Sequence, residues 1–179
     1  GAFAVLAALV PLAAAADDTS DPAGKSADGA LIGHAAAMAV ETPVTFGVVG
    51  DYGWNHRGSL EQLRAFMAWL DPDHIITTGD NVQTTIPRSG TDKYDFTVGI
   101  PFCDFMKGSA PGPECSNGGR ASTNRLFAAT GNHDYNPSDG GPIDNFVDYF
   151  NLPGAGTTSV SPTGSDLYYD VRLGPVHLF

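Results

Sequence analysis

Three short polar motifs, each placed where an apolar or β-branched run stops, constrain this chain more than any other feature. The motifs read Gly-Asp-Tyr-Gly at 50–53, Gly-Asp-Asn at 79–81 and Gly-Asn-His-Asp at 131–134. They follow runs at 44–49, 74–78 and 126–130, whose length and composition predict short buried strands. Ligands of open α/β sheets bind outside the carboxyl ends of the strands. We therefore expect the polar side chains of all three motifs to lie together at one edge of a sheet.

The segment between the first two motifs predicts an amphipathic helix. Ser59 and Gln62 form a Ser-x-x-Gln capping box, and Asp71-Pro72 ends the apolar pattern that follows it. The apolar residues that recur at helical spacing are Leu60, Leu63, Phe66, Met67 and Leu70. A strand, a helix and a strand in succession require parallel pairing through a right-handed crossover, which places the first two motifs at the same end of the sheet.

The later part of the chain is less regular. Residues 83–125 are rich in Gly and Pro and predict a surface insertion beside the site, with one helical stretch around 94–106. A short helix is expected at 142–150, and two strands joined by a tight turn are expected at 168–173 and 176–179. Because the second of these strands ends at Phe179 without a cap or a turn, we expect the sequence to be truncated there.

The beginning of the chain predicts export. Residues 1–16 form an uncharged apolar stretch that ends in small residues, as the remnant of a signal peptide would, and 17–41 read as a flexible spacer. The apolar stretch is shorter than the roughly 20 residues that a membrane-spanning helix needs. The folded unit is expected at 42–179, in a protein that is secreted or periplasmic.

The net charge excludes some classes of function. A formal charge of −11, from 20 acidic and 9 basic residues, disfavours a nucleic-acid surface, which needs clustered Lys and Arg. This acidity is expected either of an exported protein that is acidic for solubility or of one that binds cations. A nucleotide-binding α/β domain is also disfavoured, because no Gly-x-Gly-x-x-Gly follows the first strand and the chain has no Gly-Lys-Ser/Thr loop.

The two cysteines suggest a local disulfide. Cys103 and Cys115 lie in the Gly/Pro-rich insertion, and in an exported protein they could close a loop worth about 3 kcal/mol of stability. The alternative is a pair of free thiols. A cysteine metal site is not supported, because there is no Cys-x-x-Cys pair.

The residue types in the three motifs suit phosphate-ester hydrolysis. Two metal ions about 3.5–4 Å apart activate a water and clamp the phosphoryl oxygens. Asp80 is the candidate bridge between them, Asp51 the ligand of the first metal, and the amide oxygen of Asn132 a ligand of the second. His133 is then a proton donor or charge stabiliser on the leaving-group side, with Asp134 orienting its ring. Taken singly, a Gly-Asp turn after a strand is often only a turn or a helix cap, so the prediction depends on the three motifs in succession.

Together these residues resemble the calcineurin-like metallophosphoesterase family, nearest to its branch of purple and tartrate-resistant acid phosphatases. The likeness runs from 43 to 179 and includes Asn-Arg-Leu-Phe at 124–127, the segment 148–154, Tyr-Tyr-Asp at 168–170 and Gly-Pro-Val-His at 174–177. The resemblance implies an α/β fold, the four-layer αββα sandwich of that family, of which this chain is an N-terminal part. It also implies a centre of two metal ions, Fe, Zn or Mn, with Asp51, Asp80 and Asn132 as ligands and His133 as the catalytic histidine.

Two positions depart from the family pattern. Most members carry Asp-x-His in the first motif, where this chain has Gly53, and the acid-phosphatase branch has a Tyr where this chain has Gln83. Gln83, a water or His56 is then the candidate replacement for the missing first-metal ligand. The family's later histidine ligands lie beyond this sequence. The remaining histidines, His34, His74 and His177, are not expected to bind metal.

The sequence thus predicts an exported metallophosphoesterase in which a hydroxide activated by two metals attacks a small phosphate monoester. A diester or nucleotide substrate within the same family is an alternative, and without the later ligands the chain as given is expected to be inactive. A rival from another class is a secreted binding protein that keeps the phosphoesterase fold without catalysis.

Overall fold

The computed structural model describes residues 5–8, 43–154, 156–158 and 165–179. Its main sheet has four strands in the order β1 (Val5–Ala8), β2 (Phe46–Val49), β3 (His74–Thr77) and β4 (Leu126–Ala128). Strands β2, β3 and β4 are parallel, and β1 pairs antiparallel with β2. The three strands predicted ahead of the motifs are therefore confirmed as neighbours. Each strand is shorter than the predicted run: β2 begins two residues later, whereas β3 and β4 end one and two residues earlier.

Helix α1 (Arg57–Leu70) makes the crossover between β2 and β3. Leu60, Leu63 and Met67 are buried on its inner face, as the periodicity predicted. The helix ends where Asp71 adopts a left-handed conformation and its N–H donates to the Met67 carbonyl. Its start differs from the prediction.

The N-cap of α1 is His56 and not Ser59. The His56 ring nitrogen Nδ1 accepts a hydrogen bond from the Ser59 N–H at 3.1 Å. An imidazole therefore caps the helix, where the Ser59 hydroxyl was expected to do so. The predicted capping box at Ser59 is therefore wrong. An acceptor three residues before a free N–H satisfies that donor whether it is an oxygen or an unprotonated ring nitrogen.

The sheet is covered on both faces. Ile75 of β3 belongs to the core shared with α1, whereas Phe127 of β4 packs against Val171 and Leu173. The last two residues lie in β5 (Val171–Leu173), which forms an antiparallel hairpin with β6 (Val176–Leu178). The predicted hairpin is confirmed, and Gly174 at its turn has φ 59°, a conformation that glycine adopts without strain.

The insertion carries one continuous helical run. It consists of α2 (Asp92–Tyr94), a π-helical turn (Asp95–Gly99), α3 (Ile100–Phe102) and a 3-10 turn (Cys103–Phe105). The predicted disulfide between Cys103 and Cys115 is present. The buried Asp95 carboxylate accepts the N–H groups of Glu114, at 2.7 Å, and of Cys115, at 3.0 Å. The insertion is thus an ordered wall beside the sheet.

Helix α4 (Asp144–Tyr149) confirms the short helix expected after the third motif. Phe146, Tyr149 and Phe150 are buried, and all three rings lie within 5.9 Å of the Tyr94 ring, centroid to centroid. This aromatic cluster joins α4 to the insertion. The architecture as a whole is the predicted mixed α/β fold with a parallel sheet.

Only β1 of the predicted export segment is described, and the predicted spacer at 17–41 lies outside the described residues. In the part of the chain that the structure describes, no helix has the length and apolar character needed to cross a membrane.

Candidate metal centre

The first two motifs turn sharply at their aspartates. Asp51 follows β2 and Asp80 follows β3, and their φ angles are 55° and 54°. This left-handed region is uncommon for residues other than glycine, and Asp tolerates it better than most. The Asp51 N–H donates to the Gly79 carbonyl at 3.4 Å. Two carboxylates from distant parts of the chain are thereby carried by adjoining turns with the same unusual backbone shape.

The third motif lies directly against the second. A Cβ atom on Gly79 would stand 2.7 Å from the Gly131 Cα, and one on Gly131 would stand 2.2 Å from Asp80 Oδ1. The turns can approach this closely only because both positions are glycine. The His133 N–H then donates to Asp80 Oδ1 at 3.0 Å. All three motifs therefore meet at the carboxyl edge of the sheet, as their spacing predicted.

Asp134 is the buried hydrogen-bond centre of this edge. Its carboxylate has no exposed surface and accepts the N–H groups of Gly131 (2.8 Å), Asn81 (3.3 Å) and Val82 (3.3 Å), and the hydroxyl of Tyr94 (3.1 Å). Burial raises the pKa of Asp134, and the donated hydrogen bonds oppose this shift because they favour the charged form. Asp134 thus joins the second motif, the third motif and the insertion.

The His133 ring has a different partner from the predicted Asp134. Its Nδ1 lies 2.7 Å from Asp139 Oδ2, and the same oxygen accepts a hydrogen bond from Asn136 Nδ2 at 3.0 Å. This hydrogen bond raises the pKa of His133. Asp139 was not among the residues predicted for the site. Its only signal was an acidic residue in the Pro-Ser-Asp-Gly turn that brings the chain back beneath the ring.

Asn81 was also missed as a structural residue. It is fully buried, and its Oδ1 accepts the hydroxyls of Tyr52 and Thr77, each at 2.8 Å. Its Nδ2 donates to the Ala129 carbonyl at 2.8 Å. The Asn of the second motif therefore ties together the ends of β2, β3 and β4. A short amide at the end of a buried strand was the available signal.

The donors at this edge fit a cation. Asp51, Asp80 and Asn132 offer two carboxylates and an amide oxygen, which are ligands that Fe, Mn and Zn accept. Asn132 is exposed and Asp80 half-buried, so both are reachable. No group of three His, Cys, Asp or Glu residues able to hold a metal is found among the described residues. The oxygen set is therefore small and draws on the amide of Asn132.

Gln83 lies against the first of these ligands. Its Nε2 donates to Asp51 Oδ1 at 2.7 Å, while its own Oε1 is buried without a hydrogen-bond partner. An orphaned amide oxygen beside a carboxylate is a second observation that fits a cation here. Gly53 has no room for a ligand side chain, because a Cβ on it would stand 2.3 Å from the Asn81 carbonyl oxygen.

The other histidines lie in different surroundings. The His56 Nδ1 is occupied by the cap of α1, which disfavours His56 as a replacement ligand. His177 Nε2 lies 2.7 Å from Asp170 Oδ2 within the hairpin region. His74 begins β3, and burial lowers its pKa. His34 lies outside the described residues. Of the candidate replacement ligands, Gln83 is the one whose side chain contacts a predicted metal ligand, through the hydrogen bond that its Nε2 donates to Asp51.

A sequence model of the family described as calcineurin-like phosphoesterase matches residues 44–174 of the chain, well over half of its length. The match begins just before β2 and ends at the turn of the hairpin, so it includes all three motifs. Searches among curated proteins and among solved structures give no significant match.

Proposed function

The chain belongs to the calcineurin-like phosphoesterase family, and from that premise we propose that it is an exported phosphomonoesterase that uses two metal ions. Membership itself indicates a hydrolase that cleaves phosphoesters with the help of metal. The finer statements are proposals, namely the monoester substrate, the paired metals and the place near the acid-phosphatase branch. The single observation that supports the metal centre best is the meeting of the three motif turns, where the His133 N–H donates to Asp80 Oδ1 at 3.0 Å.

Asp51, Asp80 and Asn132 are the residues that would hold the metals. When bound, such ions supply positive charge against the charge that develops on phosphorus, and they acidify a water. His133 lies one residue beyond Asn132, and its Nδ1 is engaged by Asp139. The ring thereby keeps Nε2 for the substrate side, where it can give a proton to the leaving alcohol as the ester P–O bond breaks. Asp139 fixes the orientation of the ring.

Export is supported by two observations. Residues 1–16 have the composition of a signal-peptide core, and the Cys103–Cys115 disulfide is typical of proteins that fold in oxidising compartments.

The test measures metal content and turnover together. The metal-loaded full-length protein should hydrolyse p-nitrophenyl phosphate and lose that activity when a chelator is added. Asp80→Asn should lose both metal and activity, whereas His133→Ala should retain metal and lose about 10²–10⁴-fold in kcat. Asp104→Asn is the matched control, because Asp104 is an exposed carboxylate that pairs with Arg64 and Arg120 away from the motifs. An Asp80→Asn protein that keeps its metal and its rate contradicts the proposal.

One observation favours a second candidate, a binding protein that keeps the fold without turnover. The Gln83 amide occupies Asp51 Oδ1, and Gly53 leaves no space for another ligand. On this alternative the chain binds metal or a phosphorylated ligand but hydrolyses no phosphate ester in any metal form. The chelator experiment separates the two, because only the enzyme shows activity that depends on metal.

A further inference from the structure

Two large aromatic side chains stand exposed on the motif turns themselves. Trp54 follows the first motif and is 44% exposed, and Tyr135 follows the third motif and is 50% exposed. Strand β3 lies between β2 and β4, so the turns that carry these rings stand on either side of the turn that carries Asp80. We call Trp54 and Tyr135 the aromatic rim.

Trp54 is held in place and not merely left exposed. Its Nε1 donates to the Asp51 carbonyl at 3.1 Å, which ties the indole to the backbone of a proposed metal ligand. Its own carbonyl accepts the His56 N–H at 2.8 Å, and the neighbouring Asn55 N–H donates to Thr84 Oγ1 at 3.1 Å. A large apolar ring that is fixed by polar contacts and still exposed is preorganised to pack against a ligand.

The turn that carries Tyr135 is equally constrained. Both the Asn136 and the Gly140 N–H donate to the His133 carbonyl, at 3.1 and 3.2 Å. Tyr135 itself follows the fully buried Asp134. Its ring is therefore presented from the same rigid turn that carries the proposed proton donor.

We infer that the aromatic rim makes this site selective for phosphate esters whose alcohol carries a flat aromatic ring, as nucleoside monophosphates do. This inference rests on the proposed function. On this inference the phosphoryl group binds at Asp80 and Asn132 and its alcohol extends past His133 to the rim, since the rim residues lie on the turns on either side of Asp80. Each base or aryl ring that stacks on an aromatic side chain gains about 1–3 kcal/mol, whichever base it is. The rim therefore selects an aromatic ring in general and not one particular base.

The experiment compares adenosine monophosphate with ribose 5-phosphate, which share the phosphate and the sugar and differ in the aromatic base. In the metal-loaded full-length protein, the ratio of kcat/KM for adenosine monophosphate to that for ribose 5-phosphate should exceed one. Trp54→Leu should lower this ratio about tenfold, whereas Trp54→Phe should leave most of the ratio unchanged. Leu and Phe both fill space, but only the Phe ring stacks on a base. Tyr135→Leu should lower the ratio in the same direction. Trp69→Leu is the control, since Trp69 is 78% exposed on α1 and packs on Phe66 away from the turns.

A second measurement does not need turnover. The chain has two tryptophans, so in a Trp69→Phe protein the indole emission reports Trp54 alone. Adenosine monophosphate should quench this emission with saturation, and ribose 5-phosphate should not. If neither substrate is hydrolysed but adenosine monophosphate quenches the emission, the proposed function is wrong, whereas the inference that the aromatic rim binds a base is supported. If both are hydrolysed and Trp54→Leu leaves the ratio of kcat/KM unchanged, the rim inference is wrong while the proposed function stands. An absent quench also overturns the inference.

Discussion

At the scale of single residues, two acidic side chains of the third motif region do different work. Asp134 is fully buried and accepts hydrogen bonds from three backbone N–H groups, whereas Asp139 contacts the ring of His133. Asp134 therefore contributes to the site through the fold, and Asp139 through the orientation of the proposed proton donor. The position of Asp134 next to His133 in the chain gave no sign of this division.

Replacing Asp134 by Asn should chiefly destabilise the protein. The amide presents an N–H₂ group where the carboxylate accepts N–H donors, so buried donors lose their acceptor at a cost of about 2–4 kcal/mol. The measurement is the free energy of unfolding in urea. Asp139→Asn is the matched comparison. Relative to Asp134→Asn, it should lower kcat on p-nitrophenyl phosphate more and the free energy of unfolding less. Equal stability of the Asp134→Asn and wild-type proteins would contradict this assignment.

At the scale of elements, the register between β2 and β3 decides whether the ligands meet. Val49 pairs with Thr77, so Asp51 and Gly79 stand opposite each other two residues later. At the other end of the same strands, Asp73 Oδ2 accepts both the N–H and the hydroxyl of Thr45, each at 2.7 Å. We call this pair of hydrogen bonds between Thr45 and Asp73 the clasp. It stabilises the register of β2 and β3 at the end of the sheet opposite the site.

The clasp predicts a stability difference that depends on pH. The hydrogen bonds from the Thr45 N–H and then its hydroxyl lower the pKa of Asp73. A carboxyl whose pKa is lower in the folded state stabilises the protein above its unfolded pKa, and this contribution is lost as the pH falls through the folded pKa. Asp73→Ala should therefore cost about 1 kcal/mol near pH 7, and this difference from wild type should shrink below about pH 3.

Urea unfolding of wild type and Asp73→Ala at several pH values measures this difference. A cost for Asp73→Ala that stayed constant from neutral to strongly acidic pH would rule out the carboxylate as its cause.

At the scale of the whole molecule, the insertion and the sheet form one structure. Helices α1 and α3 pack together, and Asp104 links Arg64 of α1 to Arg120 of the insertion at 2.9 and 2.8 Å. These ion pairs are exposed, so their contribution to stability is small. The hydrogen bond from the Tyr94 hydroxyl to Asp134 and the aromatic cluster around Tyr94 provide the buried connection.

The disulfide should account for a large part of the stability of the insertion. It closes a loop with a sequence separation of 12, for which chain entropy gives about 3 kcal/mol. Reduction and alkylation of the wild type should lower the urea concentration at the midpoint of unfolding. The midpoint of the Cys103→Ala/Cys115→Ala protein should be the same with and without reductant. A midpoint that does not move on complete reduction would show that hydrogen bonds to Asp95 hold the loop alone.

Sequence patterns alone predicted the three parallel strands, α1, α4, the hairpin and the meeting of the motifs at one edge, whereas for the two cysteines they left both a disulfide and free thiols open. Each of these depends on periodicity, turn chemistry or the direction of parallel strands, which neighbouring residues encode. Three contacts became visible only in the folded protein: Asp139 and not Asp134 contacts the His133 ring, His56 caps α1, and Gln83 donates a hydrogen bond to Asp51. These partners were not readable in advance because several acceptors lay within reach along the chain. Which one a donor meets is set by the path of the folded backbone and by the burial around it.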